Sequence, residues 1–264
     1  MTNFFMLDSA YDGVSIIVAA VRPESRPKAV LQISHGMCGC KERFLPFMEY
    51  MAAHGVACVA NDHRGHGLIV KNEKDRGYMY IGGYKALVDD MKMVTDWTRK
   101  SFEDVPVFLL SHSMDSLAAG TYLKKHSGSV DGVILCGNPS WKPLSYVILA
   151  FMHLLCMPMP EKEKLQNIKV PVLYMLGGPE DIAYENGMDD FHRLVKVPAF
   201  AANYPVGHGG TYRQPYGGEF TVPALAWLKL QLQDDDMAAK MFIGFPCELE
   251  RRKGWTIEKN DLID

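Results

Sequence analysis

No stretch of this sequence is apolar for long enough to span a bilayer. The most apolar window, Tyr146 to Met159, is too short for that and contains Pro158, so no integral-membrane segment is expected. The first residues, Met1-Thr2-Asn3-Phe4-Phe5, lack a basic region followed by a long apolar run, and no secretory leader is expected either. With that context the six cysteines read as free thiols in a reducing cytoplasm rather than a disulfide framework. No dense Lys/Arg stripe appears and the formal net charge is −3, so nothing calls for nucleic acid or an anionic membrane surface as partner.

Internal repeats, low-complexity tracts and long Gly/Ser linkers are missing too, which favours a single unit over a string of domains. Gly65-His66-Gly67 has no third glycine at the spacing of a dinucleotide fingerprint. Cys38 and Cys40 have no second pair at ligand spacing, so loop thiols are a better reading than metal ligands. Neither a cofactor nor a metal is expected. The chain has 48% hydrophobic and 22% charged residues, enough apolar material for a large core. A homo-oligomer is left open.

Short apolar runs rich in β-branched residues alternate with stretches of helical period, the pattern of an α/β protein with a mostly parallel sheet flanked by helices. The expected strands are Val14–Val21, Ala29–Ser34, Val56–Asn61, Val107–Leu110, Gly132–Cys136, Val170–Leu176 and Ala199–Tyr204. Helices are expected at Phe44–His54, Lys85–Ser101, Met114–Lys125, Gly187–Leu194 and Phe220–Gln231. In the second of these, Leu87, Met91, Val94, Thr95 and Thr98 share one face, and Lys85, Asp89, Lys92, Asp96 and Lys100 the other.

In such sheets ligands bind beyond the carboxyl ends of the strands, so the loops there carry the chemistry. Ser111-His112-Ser113-Met114-Asp115-Ser116 lies between a strand and a helix, the context of a nucleophile elbow centred on Ser113. The helix start would offer the Met114 N–H to a developing oxyanion, and the turn at His35-Gly36-Met37 would offer the Met37 N–H. Asp181, in Gly177-Gly178-Pro179-Glu180-Asp181, and His208, in Gly207-His208-Gly209-Gly210, end two later strands. The chain order Ser113, Asp181, His208 is the one this architecture uses for a triad.

Taken together, His35-Gly36, Arg43-Phe44, the segment Asn61-Asp62-His63-Arg64-Gly65-His66-Gly67 and the His-Ser-Met elbow resemble the monoacylglycerol-lipase and lysophospholipase branch of the α/β-hydrolases. The resemblance is good over residues 10 to 140. Further on, around Gly207-His208-Gly209-Gly210-Thr211-Tyr212 and the Trp227-Leu228 helix, the chain is more similar to small bacterial hydrolases of that superfamily. The resemblance implies an α/β-hydrolase fold with Ser113 as nucleophile, His208 as base, Asp181 as acid, and Met37 and Met114 as oxyanion donors. It also implies a small-molecule ester substrate and an acyl-enzyme intermediate. Other readings of the same residues are a thioesterase, acyltransferase or amidase, or an inactive fold that binds a ligand.

Two departures stand out. Ser111 and Asp115 occupy positions where this group usually has glycine, and Ile69 replaces a usual serine. The Asp115 carboxylate suits a helix N-terminus but would disfavour an adjacent oxyanion. Residues 139–167 are expected to form a short cap, where Trp141, Tyr146, Phe151, Met152, Leu154, Leu155, Met157 and Met159 would line an acyl pocket. Residues 234–264 are expected to be a C-terminal extension lying on the surface or covering an edge.

Overall fold

The computed structural model describes residues 1–126, 128–137, 162–232 and 236–263. Nine strands form one sheet: β1 (Thr2–Asp8), β2 (Ser15–Val21), β3 (Ala29–Ser34), β4 (Val56–Asn61), β5 (Val107–His112), β6 (Gly132–Cys136), β7 (Val172–Leu176), β8 (Ala199–Asn203) and β9 (Thr256–Lys259). Their spatial order is β1-β2-β4-β3-β5-β6-β7-β8-β9. From β4 to β8 every pairing is parallel, while β1, β2 and β9 pair antiparallel at the two margins. This is the α/β-hydrolase fold expected from the sequence.

The parallel strands are buried on both faces, and the period-two alternation of a strand divides their side chains between two cores. Val30, Val59, Val107 and Leu109 pack on one side with Leu87, Met91 and Val94 of helix α2 (Gly83–Ser101) and Ala118 and Tyr122 of helix α3 (Met114–His126). Met188 and Phe191 of α4 (Tyr184–Arg193) complete that layer. Leu31, Ile33, Phe108 and Leu110 pack on the other side with Phe47 and Met48 of α1 (Leu45–Ala53) and Trp227 of α5 (Thr221–Gln231). Two short helices, α6 (Asp236–Phe242) and α7 (Glu248–Arg251), add Phe242 and Leu249 there.

The face of α2 read from its period is the buried one, including its two threonines. Their hydroxyls are satisfied inside: Thr98 Oγ1 donates to the Val94 carbonyl at 2.8 Å and Thr95 Oγ1 to the Gln32 side chain at 2.8 Å.

Several boundaries move. The Phe44–His54 helix is a 3₁₀ turn at Lys41–Phe44 followed by α1, because Pro46 can sit in the first turn of a helix but not further in. The helix expected at Gly187–Leu194 begins earlier, at Tyr184. Strands β1 and β9 were not anticipated. β1 holds an apolar run, Phe4–Leu7, but without the period-two alternation of a half-buried strand, and it lies half-buried or exposed at the outer edge. β9 is only four residues long with one apolar side chain. Of the cap expected at 139–167, residues 139–161 with all eight named aromatic, Leu and Met side chains lie outside the described residues, and Lys162–Asn167 is a 3₁₀ turn. In the 234–264 region, α6 packs on α5, its Phe242 meets Phe200 of β8 with ring centroids 4.9 Å apart, and β9 pairs with β8.

Candidate active site

Chain direction brings the ends of β3, β5, β7 and β8 to one edge of the sheet, and the site is built on the loops that follow them. β5 runs into α3 through Ser113 alone, whose φ of +58° lies in the left-handed region that a non-glycine residue rarely adopts. Local hydrogen bonds hold this conformation. The Ser113 N–H donates to the Cys136 carbonyl at 2.7 Å, and its own carbonyl accepts from the Ser116 N–H at 2.9 Å. Ser116 Oγ spans the base of the turn, reaching the carbonyls of Ser111 at 2.9 Å and Cys136 at 3.0 Å.

His208 lies in the loop after β8, and its Nε2 is 2.7 Å from Ser113 Oγ. Its Nδ1 is 2.9 Å from Asp181 Oδ1, in the loop after β7. Asp181 is 6% exposed and also accepts the backbone N–H groups of Gly177 at 3.1 Å and Ala183 at 2.9 Å. Burial works to raise its pKa, but the His208 contact and these amides outweigh it and hold the carboxyl below its ordinary range. The three residues singled out in the sequence, far apart along the chain, therefore meet in one hydrogen-bonded row. A side chain at Gly177 would put its Cβ 2.2 Å from the Gly207 carbonyl oxygen and 2.8 Å from Asp181 Oδ2, so the Asp181 and His208 loops touch only because that position has none. His112 adds a further tie: its Nε2–H donates to the His208 carbonyl at 2.8 Å.

Met114 opens α3, so its N–H is one of the donors a helix start leaves unpaired. The Met37 N–H makes no hydrogen bond among the described residues. The loop carrying it is pressed against Ser113: a Cβ on Gly36 would lie 2.6 Å from Ser113 Cβ and 2.9 Å from the His112 carbonyl oxygen. Two cavities flank this loop. One of about 200 Å³ is lined by Met37, Met79, Met114, Cys38 and the Gly65-His66-Gly67 turn. The other, of about 270 Å³, is lined by Gly36, Phe44, His112 and Tyr212, with Arg43 and Arg213.

The sequence pattern of the family described as serine aminopeptidase, S33 (Hydrolase_4) matches residues 25–161, just over half the chain. The chain belongs to this family. It is 32% identical over 106 residues to monoglyceride lipase of Mus musculus, a match covering 39% of this chain and 32% of that one. It is 28% identical over 124 residues to monoglyceride lipase of Homo sapiens, covering 47% of this chain and 39% of that one. The matched region thus spans about a third of the length of these relatives. Among solved structures, a carboxyl esterase from Bacillus coagulans in complex with glycerol superposes with a TM-score of 0.75 at 15% identity, covering 88% of this chain and 99% of that one. Est1E from Butyrivibrio proteoclasticus with ferulic acid bound gives 0.66 at 15% identity, covering 87% and 99%. These likenesses establish the fold. The family match includes Ser113 and stops before Asp181 and His208, so the grouping of those two with the serine rests on the geometry above.

Two features of this family member were beyond reach in its sequence. Helix α3 still packs against the sheet through Ala118 and Tyr122, and Asp115 lies inside the protein. It is fully buried, and its Oδ2 accepts from Ser34 Oγ and lies 2.5 Å from His63 Nε2. These partners engage Oδ2, while Oδ1 has no hydrogen-bond partner among the described residues. The Asp-x-Arg-Gly-His-Gly segment proves to be a structural clasp. Asp62 takes the Lys41 ammonium at 2.6 Å and the amides of Lys41 at 3.0 Å and Leu68 at 2.9 Å, joining the loops after β3 and β4. Ile69 is buried in the core beside this loop. Cys38 and Cys40 are free thiols, and among the described residues no group of three or more His, Cys, Asp or Glu is placed to hold a metal ion.

Proposed function

We propose that this protein is a serine hydrolase that cleaves carboxylic esters of small to medium acyl groups through an acyl-enzyme. The observation that carries the reading is the left-handed Ser113, with its Oγ 2.7 Å from a His208 that is itself 2.9 Å from buried Asp181. In this reading His208 Nε2 takes the Ser113 proton as Oγ attacks the ester carbonyl. Asp181 fixes the ring with Nδ1–H toward itself and stabilises the imidazolium that forms. The N–H groups of Met37 and Met114 receive the oxyanion, at roughly 2.7–4 kcal/mol of transition-state stabilisation for each such donor. His208 then protonates the departing alkoxide and activates a water to release the acid.

The cavities beside the oxyanion loop suit the two halves of such an ester. Flexible Met37, Met79 and Met114 side chains make the smaller one adaptable to an acyl group. The larger, lined by Phe44, His112 and Tyr212 with Arg43 and Arg213, is assigned the alcohol side, where the two guanidinium groups can meet its hydroxyls. A fluorophosphonate probe tests the central claim. Wild-type protein should be labelled and Ser113→Ala should not. A wild-type protein that resists labelling removes the hydrolase reading and leaves a ligand-binding fold in its place. A chain-length series of p-nitrophenyl esters tests the acyl preference, which fails if turnover keeps rising into long chains.

A further inference from the structure

We infer that Asp115 is a positioning residue which, through His63 and Ser34, sets the spacing between the two amides of the oxyanion hole. The inference rests on the ester-hydrolase reading above. Asp115 is adjacent to Met114, the first donor. Ser34 ends β3, and Gly36 lies in the loop that follows it and carries Met37, the second. Donors must lie about 2.7–3.1 Å from the place the oxyanion will occupy, so a slip of a few tenths of an ångström between the two loops would spoil both contacts.

Two routes join them. The direct one is the hydrogen bond from Ser34 Oγ to Asp115 Oδ2. The longer one starts at the 2.5 Å contact between Asp115 Oδ2 and His63 Nε2. From there the His63 backbone N–H donates to His35 Nε2 at 3.1 Å, and His35 Nδ1–H donates to the Gly36 carbonyl at 2.8 Å. The rings of His35 and His63 pack with centroids 4.1 Å apart. Every proton in this row has one consistent place. His35 accepts at Nε2, so its proton sits on Nδ1. His63 Nδ1 faces the Asn61 amide nitrogen at 3.3 Å, so His63 carries its proton on Nε2, toward Asp115. The row ends on the residue just before Met37.

Stability alone is a poor reason for this arrangement. A buried ionisable pair is often no better for folding than an apolar replacement, and Asp115 Oδ1 has no hydrogen-bond partner among the described residues. A glycine at 115 would avoid burying the charge and would meet the small-residue rule of the elbow. What the carboxylate adds is a fixed distance between α3 and the loop after β3.

The test compares wild type, Asp115→Gly, Asp115→Asn, His63→Gln and the His63→Gln/Asp115→Asn double variant on one p-nitrophenyl ester. Two further readouts are thermal unfolding and inhibition by an aryl trifluoromethyl ketone, which binds as a tetrahedral oxyanion. Asp115→Gly should lower kcat about 10²-fold with KM within about two-fold of wild type, the signature of a lost transition-state contact. The ketone Ki should rise in proportion. A purely structural role would reduce the folded fraction and hence the rate, but would leave Ki unchanged. Asp115→Asn keeps an acceptor for His63 and should retain most of the activity. The double variant should be no worse than the poorer single one, because both act on the same row. An Asp115→Gly protein that folds with kcat and Ki unchanged overturns the inference while leaving the hydrolase reading intact. If Asp115→Gly does not fold, a folded His63→Gln protein that keeps wild-type kcat and ketone Ki overturns it instead. A wild type inert toward every ester and toward the probe overturns both.

Discussion

His112 stands next to the proposed nucleophile and holds the carbonyl of the proposed base, so its proton matters to both. Burial disfavours the imidazolium and pulls its pKa from 6.5 down to about 4, against the opposing pull of the His208 carbonyl. A histidine with a depressed folded pKa contributes stability that is complete above the unfolded value and is lost as pH falls toward the folded one. The native state should therefore weaken between pH 6.5 and about 4, with His112 accounting for about 2 kcal/mol of the loss after allowance for its partial exposure. His35 and His66 are shifted the same way and His63 the opposite way, so the wild-type slope is a sum. Subtracting the urea-unfolding profile of His112→Gln isolates this one ring, and parallel profiles would show that it does not titrate across that window. Gly36 sits on the other side of Ser113 and allows a prediction about space. Its Cβ would fall 2.6 Å from Ser113 Cβ and 2.9 Å from backbone, neither of which can swing away. Gly36→Ala should therefore displace the Met37 loop, lowering kcat by about 10²-fold while unfolding shifts by only about 1–3 kcal/mol. Full activity in Gly36→Ala would show that the loop has slack.

The elements that place the site are those whose local signal is strongest. Strands β3 to β8 are short runs with every side chain buried or nearly so, and their ends deliver Ser113, Asp181 and His208 in an order readable before any coordinates. What could not be read are pairings between loops distant in sequence. Arg64 was visible only as part of a motif. Nothing local announced that Asp12 and Asp90 would meet it, or that Asp115 would find Ser34 and His63 instead of solvent. The Arg64 guanidinium reaches Asp90 at 2.6 Å, Asp12 at 2.7 and 2.9 Å and Ser9 Oγ at 2.6 Å, joining the β1–β2 turn, the loop after β4 and helix α2. A lysine offers one ammonium where this fork uses three nitrogens. Arg64→Lys should therefore leave at least one of the two carboxylates buried without its donor, at a cost of about 3 kcal/mol. The measurement is the urea midpoint at unchanged m-value, with turnover per folded molecule within about two-fold of wild type because the clasp lies outside the reacting groups. A midpoint that does not move would reduce Arg64 to a solvated surface pair, which its complete burial argues against.

At the scale of the molecule, a parallel sheet this apolar has to deal with its two edges. β1 covers β2 on one side with a strand whose outward residues are half-exposed. On the other side β8, with every residue buried, pairs with the four-residue β9. The short strand is held by side chains around it. Trp255, 4% exposed, stacks on Tyr204 at 4.9 Å and donates to Glu219 at 3.1 Å. Asn260 donates to the carbonyls of Leu194 at 2.7 Å and Val197 at 2.8 Å. Removing residues 254–264 would therefore do two separable things: delete a buried indole, and leave an unpaired apolar strand edge, which is a template for pairing with another chain. Trp255→Ala does only the first. Both variants should lose about 3–5 kcal/mol of stability, as large aromatic truncations do, but only the shortened chain should self-associate as concentration rises in light scattering. The monomeric fraction of each should still be labelled by a fluorophosphonate, since β7 holds β8 and the His208 loop from the other side. If the shortened chain stays monomeric, the β8 edge is protected by something other than β9. If Trp255→Ala associates as well, loss of packing rather than an open edge is the cause, and β9 acts as a lid on the core more than as a cover for the sheet.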